Sequence, residues 1–230
     1  GRIALSKGGH DGYVENISPI ARARDVVDDD YVNTRGTLRF EINPDLEATV
    51  SAFYYKNDAE PFVYRVLGDP ATVGGPTFAS VPAGYVNPTN ADPLKVRIDS
   101  PNIGFDIAKG VFLDIGWNLG SLQLKSLTAA TRTSNYYQID LDATDVAPQV
   151  EYGTEARYET LSQELQAVYS GEALNIVGGL FYYHESSEFY RYFSAPPAVY
   201  GVGYAYYYNP VPHLAEDSYG IYINGDLDLT

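Results

Sequence analysis

Cysteine is absent from the 230 residues. That excludes a disulfide framework, a thiolate nucleophile and a cysteine metal site. Oxidising compartments do not require disulfides, so location stays open. Methionine is absent too, the start residue included. Because the opening "GRIALS" already reads as a strand, the chain is expected to be an internal piece of a longer protein. Basic residues are scarce: 15 Lys and Arg face 30 Asp and Glu, a net charge of -15. A nucleic-acid partner needs a basic patch, and the cations here are scattered, so no nucleic acid is expected. No apolar run approaches the roughly 20 residues of a transmembrane helix, and no signal peptide is visible, as an internal piece would not show one. That test is blind to barrel strands, which are about ten residues long and alternate in polarity.

Catalytic signatures are missing as well. There is no nucleophile elbow, P-loop or dinucleotide fingerprint. His10, His184 and His213 are scattered, without HExxH spacing, so no metal site is expected. Glu185 and Glu188 form a carboxylate pair too common to imply a glycosidase. "GVGYAYYY" is a glycine-tyrosine stretch without a following helix pattern, so it is not a phosphate cradle. "DVVDDDY" (Asp25 to Tyr31) and "DLDATD" (Asp140 to Asp145) raise calcium, since clustered carboxylates suit a hard cation. Neither has EF-hand spacing, and both read as solvated acidic loops. No catalysis and no cofactor are expected.

Tyrosine is abundant at 22, while Trp117 is the single tryptophan; tyrosine suits strands and half-wet surfaces. Three segments share the layout strand, brief turn, strand. In "RGTLRFEINPDLEATVSAFYY", Leu38, Phe40 and Ile42 alternate with Thr37, Arg39 and Glu41; Ala48, Val50 and Ala52 resume after the turn. In "VFLDIGWNLGSLQLKSLTAATR", Val111, Leu113, Ile115 and Trp117 share a face, Leu122 and Leu124 follow, and a phase slip near Lys125-Ser126 points to a bulge. In "SQELQAVYSGEALNIVGGLFYY", Leu165, Ala167 and Tyr169 are matched by Leu174, Ile176, Gly178 and Leu180.

Opposed residues of an antiparallel pair share a face, which predicts turns. Tyr169 opposite Leu174 leaves Gly171-Glu172, with glycine first as a type II′ turn prefers. Trp117 opposite Leu122 leaves Leu119-Gly120. The first hairpin uses even positions on both strands, so its loop should be odd, three or five residues, with Pro44 at a turn position. With "RIALSKGGHDGYVEN" and "SYGIYINGDLDLT" added, eight strands result. Connections after strands two, four and six are tight, and those after one, three, five and seven are long. Placing all long loops at one end is the asymmetry of outer-membrane barrels. Soluble sandwiches mix loop lengths. Strands of about 12 to 16 residues exceed the globular mode of about 5 to 6 and the 9 to 11 that cross lipid, so they should project beyond it on the long-loop side.

"LSQELQAVYSGEALNIVGGLFYYHESSEF" resembles the mid-barrel stretch of TonB-dependent outer-membrane receptors. "GDLDLT" resembles the end of the next strand, and "DGYVEN", "TRGTLRFEINPDLEATVSAFYY" and "WNLGSLQLKSLTAATR" resemble the preceding ones. The resemblance covers most of the chain outside the long loops. It implies an all-β, antiparallel up-and-down meander: about eight strands of a 22-stranded type transmembrane β-barrel, an open curved sheet in isolation. Residues 1–230 would form part of one barrel domain, with plug and C-terminal strands absent. The implied location is the bacterial outer membrane, in contact with its lipid. The implied activity is energy-coupled uptake of a scarce nutrient such as an iron-siderophore complex. Coupling would run to the TonB complex through the missing plug.

On this reading Leu38, Phe40, Ile42, Ala48, Val50 and Ala52 face lipid. Arg39, Glu41, Thr49, Ser51, Glu47, Glu164 and Gln166 face the lumen. Tyr54, Tyr55, Phe181, Tyr182, Tyr183, Tyr190 and Tyr192 would form the outer girdle and lumen mouth, and Trp117 would mark the periplasmic girdle. Ligand contacts are expected in the long loops after strands three and seven. Arg65, Tyr190, Arg191 and Tyr192 are the candidates, arginine to hold an anionic chelate and tyrosine to stack on it. The alternatives from other classes are a secreted all-β binding or adhesion module, lectin-like, and a soluble all-β hydrolase.

Overall fold

The computed structural model describes residues 1–21, 24–60, 62–65, 92–146, 151–195 and 205–228. Eleven strands are found among them: β1 (Arg2–His10), β2 (Val14–Asn16), β3 (Asp25–Val26), β4 (Asp29–Asn43), β5 (Leu46–Ala59), β6 (Lys95–Val96), β7 (Ile103–Leu119), β8 (Leu122–Asp140), β9 (Glu151–Ser170), β10 (Leu174–Ala195) and β11 (Ala205–Leu227). Eight of them make one antiparallel meander, in the order β1-β4-β5-β7-β8-β9-β10-β11, whose two edges do not meet. The expected eight-stranded open sheet is therefore present, with all tight turns at one end. β4 and β5, of 15 and 14 residues, have the expected length, while β7 to β11 run 17 to 23 residues and exceed it. Much of the expected last long connection is strand, so Tyr190, Arg191 and Tyr192 lie in β10 rather than in a loop.

The two faces follow the alternation. Along one rung, Phe40, Ala48, Ile115, Ser126, Leu165, Leu180 and Ile221 are paired in sequence from β4 to β11. Along the next, Arg39, Thr49, Asp114, Leu127, Glu164, Phe181 and Gly220 lie on the opposite face. The apolar face stays bare: Phe40 is 50% exposed, Leu180 52% and Ile221 85%. Its polar intruders satisfy one another, since Thr128 Oγ1 donates to Gln163 Oε1 at 2.6 Å and Gln163 Nε2 donates to Ser126 Oγ at 3.0 Å.

From β5 to β11 that face carries no charge over a nearly constant span. Counting from the tight-turn end, its first ionisable charge is Lys56 on β5 after residues 46–55, Lys109 on β7 after 119–110 and Arg132 on β8 after 122–131. On β9 it is Glu159 after 170–160, on β10 His184 after 174–183, and on β11 Asp217 after 227–218. On each of these six strands the face therefore presents five consecutive uncharged positions, a stretch of about ten residues.

The turns differ from the parity reading by two residues. Trp117 pairs with Leu124, not Leu122, and the loop is Gly120-Ser121. Gly120 takes φ +70°, which costs glycine nothing. Tyr169 pairs with Ile176, not Leu174, and Gly171 N–H donates to Leu174 C=O at 2.9 Å. A shift of two keeps every side chain on its face, so the alternation is indifferent to it. The first hairpin closes on a two-residue Pro44-Asp45 loop between Asn43 and Leu46, not on the expected three or five residues, because a bulge after Glu41 absorbs the odd residue. No bulge occurs at Lys125-Ser126: the ladder is continuous there, and Leu127 stays on the polar face opposite Asp114 and Glu164.

In four of the glycine–aromatic pairs the aromatic ring covers the glycine: Gly8 with Tyr31, Gly110 with Phe53, Gly153 with Tyr192 and Gly179 with Tyr222. In each of the four an added Cβ would come under 3.0 Å from the ring.

At the long-loop end β3, β2 and β6 form a second, three-stranded sheet. Its core is Val26, Val96 and Ile98, each at most 2% exposed, with Val14, Val27 and Val63 packed around it. Described stretches of the connections after β1 and β5 thus fold into a cap with its own small core. The "DLDATD" stretch belongs to it and is buried rather than solvated: Asp140 is 0% and Asp142 4% exposed. "DVVDDDY" remains largely at the surface. Residues 201–204 of the glycine-tyrosine stretch lie outside the described residues.

Candidate functional site

The polar face ends, at the long-loop side, in a depression of about 270 Å³. Its floor is made of small residues: Ala59 paired with Gly104, and Thr154 and Ala156 two residues apart on β9. Tyr137, Tyr152, Tyr158 and Phe189 wall it, with Asp106, Asn135 and Arg191 as polar groups. Strand register brings these together. Asp106, Asn135, Ala156 and Phe189 form one rung and Gly104, Tyr137, Thr154 and Arg191 the next. Arg191 lies over the Phe189 ring, 5.1 Å from its centroid, a cation–π contact that orients the guanidinium without using its hydrogen-bond donors.

A loop segment closes one side of the depression. Phe62 sits against Tyr137 at 5.9 Å and Tyr64 at 5.6 Å, and Tyr137 continues to Tyr152 at 6.1 Å. The position of Phe62 traces back to the cap. Asn102 Nδ2 donates to the Phe62 carbonyl at 2.8 Å, and Asn102 Oδ1 accepts from Asp140 N–H at 2.8 Å. The Asp140 carboxylate accepts from Asp99 N–H at 3.1 Å, Ser100 N–H at 3.0 Å and Ala143 N–H at 2.8 Å. Asn16 binds both backbone groups of Ile98, and Asp145 accepts from Ser18 Oγ at 2.9 Å and from Arg97 Nε. Four side chains therefore tie three loops together beside the depression.

Burial dominates the electrostatics of this clasp. It pushes the Asp140 carboxyl up to about 8, with the Asp142 charge adding to the effect. Burial, then Asp142, pushes Asp99 up to about 6. Glu60, at the end of β5, rises to about 7 by burial and then by Asp28. Transfer of a carboxylate out of water disfavours its charged form.

The structure separates the sequence candidates. Arg191 lines the depression. Arg65 ends the stretch 62–65, which Phe62 fixes beside Tyr137. Tyr190 and Tyr192 fall on the opposite face: Tyr192 pairs with Gly153 and its hydroxyl meets that of Tyr136 at 2.9 Å, while Tyr190 donates to Glu188 at 3.2 Å. Sequence reasoning passed over Tyr137, Tyr152, Tyr158 and Phe189. The alternation of Asn135, Tyr137 and Ile139 was the available signal. Of the girdle candidates, Tyr54 and Tyr182 share the apolar face, and Tyr55, Phe181 and Tyr183 the polar one. Trp117 stands on the apolar face at the tight-turn end, 46% exposed. Among the described residues no group of three or more His, Asp or Glu side chains is arranged to hold a metal ion.

No family model matches the chain, and no curated protein matches it. Among solved structures it is similar to the ferric yersiniabactin uptake receptor FyuA from Yersinia pestis, with a TM-score of 0.61 and 13% sequence identity over 97% of this chain. The chain spans 38% of that receptor's length. The fold is thus that of an open arc of a large antiparallel β-barrel.

Proposed function

We propose that this chain is the ligand-receiving arc of an outer-membrane transport receptor, with its apolar face against lipid and its polar face lining the lumen. The observation that carries the reading is the charge-free span of the apolar face: five consecutive face positions, about ten residues of strand, on each of β5, β7, β8, β9, β10 and β11. Crossing a bilayer takes about 9 to 11 tilted strand residues. A secreted binding module would need a second layer over Phe40, Leu165 and Leu180, and none packs there among the described residues.

The depression beside the cap is where a ligand arriving from outside would dock. Arg191 supplies a fixed positive charge, and Tyr137, Tyr152, Tyr158 and Phe189 supply flat apolar walls. That chemistry fits an anionic, partly aromatic small molecule, and a ferric siderophore complex is the class proposed. The similarity to a ferric-siderophore uptake receptor supports the class. Energy coupling would run through a plug domain to the TonB complex of the inner membrane.

Phase partitioning tests the membrane half. The full-length protein should enter the detergent phase and migrate faster on a gel unboiled than boiled. Recovery in the aqueous phase without detergent would sink it. Ligand uptake is tested separately, by iron-limited growth of cells whose gene for this protein is deleted, supplied with single ferric siderophores.

A further inference from the structure

We infer that the depression is bipolar and selects a zwitterionic ligand, one with an amine or guanidinium set well apart from its anionic group; this rests on the depression being the ligand site. Strand register sets the two poles. Arg191 stands on β10 and Asp106 on β7, and both side chains open into the depression. β8 and β9 run between them. Three strand gaps at about 4.8 Å hold the two backbones roughly 14 Å apart. An ion pair needs nitrogen and oxygen within about 4 Å, so the two charges do not neutralise each other. Among the described residues Arg191 makes no ion pair, and its guanidinium rests on the Phe189 ring. Asp106 makes none either, and burial alone raises its carboxyl above the usual carboxylate value.

The Asp106 end is short of donors. Asn57 is the direct cross-strand partner of Asp106. Its Oδ1 is buried with no hydrogen-bond partner among the described residues. Glu60, which follows Ala59 of the floor, leaves its Oε2 in the same state. Buried acceptors are nearly always paired, and an unpaired one costs free energy. Acceptors without donors therefore mark this end of β5 and β7. No group of His, Asp and Glu among the described residues is arranged to hold a metal ion. The complement is an organic cation, whose several N–H groups can meet a carboxylate and an amide oxygen together. A wholly anionic ligand would satisfy Arg191 and be repelled at the other end. Tyr137 on β8 and Tyr152 on β9 lie between the poles and give the ligand's middle a flat surface.

The test uses the full-length protein purified in detergent and titrated calorimetrically with two ferric complexes. Both are built from lysine acylated at its α-amine with a catechol acid. One keeps the side-chain amine free and the other has it acetylated, so they differ only in that cation. Wild type should bind the free-amine complex at least tenfold more tightly. Asp106→Asn should bring the two complexes within twofold of each other and leave the acetylated one bound as in wild type. Arg191→Ala should weaken both alike. Equal binding of the two complexes by wild type would overturn the bipolar assignment, as would a tenfold preference that survives Asp106→Asn. If Arg191→Ala weakens neither, the depression is not the ligand site, and the proposed docking place fails before the question of its poles arises. Wild type that binds neither complex would overturn both.

Discussion

Asp140→Ala should open the cap without disturbing the sheet. The carboxylate is fully buried and accepts three backbone N–H groups, those of Asp99, Ser100 and Ala143. Alanine would strand all three. A buried donor left without an acceptor costs about 1–3 kcal/mol. Three of them give about 3–9 kcal/mol before relaxation, and water entering the vacated space should bring the net to the low end, about 3 kcal/mol. At about 1.4 kcal/mol per tenfold, that raises the open population roughly a hundredfold. Amide hydrogen exchange reads it directly. Peptides covering 92–102 and 140–146 should exchange about a hundredfold faster, while a peptide covering 122–131 in β8 should not change. Because Asn102 links Asp140 to Phe62, the Phe62–Tyr137 contact should loosen as well. Unchanged protection of 92–102 would refute the assignment of Asp140 as the clasp, and equal loss in β8 would show that cap and sheet open as one.

The same clasp should weaken with rising pH. Asp140 and Asp99 are raised to about 8 and about 6 in the closed cap, against about 3.9 in an opened loop. The closed cap therefore binds more protons, so its stability is full below about pH 4 and is lost as pH rises through 6 and then 8. Tryptic cleavage at Arg97, normalised to a free peptide, should be faster at pH 8.5 than at pH 5.5, and an opposite slope would reject the burial argument. On the sheet, Ala48→Arg should destabilise the protein in vesicles by about 2–4 kcal/mol, with Thr49→Arg close to neutral. Equal costs in urea titrations would mean the faces are not lipid and lumen. Arg191→Ala should weaken ligand binding by about tenfold to a hundredfold, the worth of a charged hydrogen bond of about 1.5–3 kcal/mol. Arg191→Lys should restore only part of it, as titration calorimetry would show.

The face of each strand residue was legible in the sequence because a half-buried strand writes its environment at period two. Leu38, Phe40, Val50 and Ala52 share a face for that reason, and Arg39, Glu41, Thr49 and Ser51 the other. Where strands turn was less legible. The pairings of Trp117 and Tyr169 were each off by two, a displacement that leaves the pattern untouched. The bulge beyond Glu41 was hidden because proline in the turn accounted equally well for an odd count. The cap was invisible for another reason. Its ties join Ser18 to Asp145 and Asn16 to Ile98, 127 and 82 positions apart, and no periodicity in either loop announces the other. Burial of "DLDATD" follows from those ties, whereas composition alone made it look like a solvated acidic run. Arg191 was a candidate for its chemistry, and only the register shows that it faces the depression while Tyr190 and Tyr192, one residue away on either side, point elsewhere.

The glycine–aromatic pairs bear on this ambiguity of two. A long strand of alternating residues can slide past its neighbour by two positions and still present the right face to each side. Hydrophobic patterning therefore fixes orientation and leaves position along the ladder degenerate. A ring that needs a missing side chain beneath it removes the degeneracy. If Tyr192 slid by two it would meet Tyr152's neighbour Glu151 or Glu155 in place of Gly153, and the Cβ it met would obstruct it. Phe53 over Gly110 and Tyr222 over Gly179 act likewise on two other interfaces. In a sheet whose strands reach 23 residues, the 22 tyrosines and 21 glycines are in part an indexing system. They work as notches and pins that let an arc of interchangeable-looking strands assemble in a single alignment.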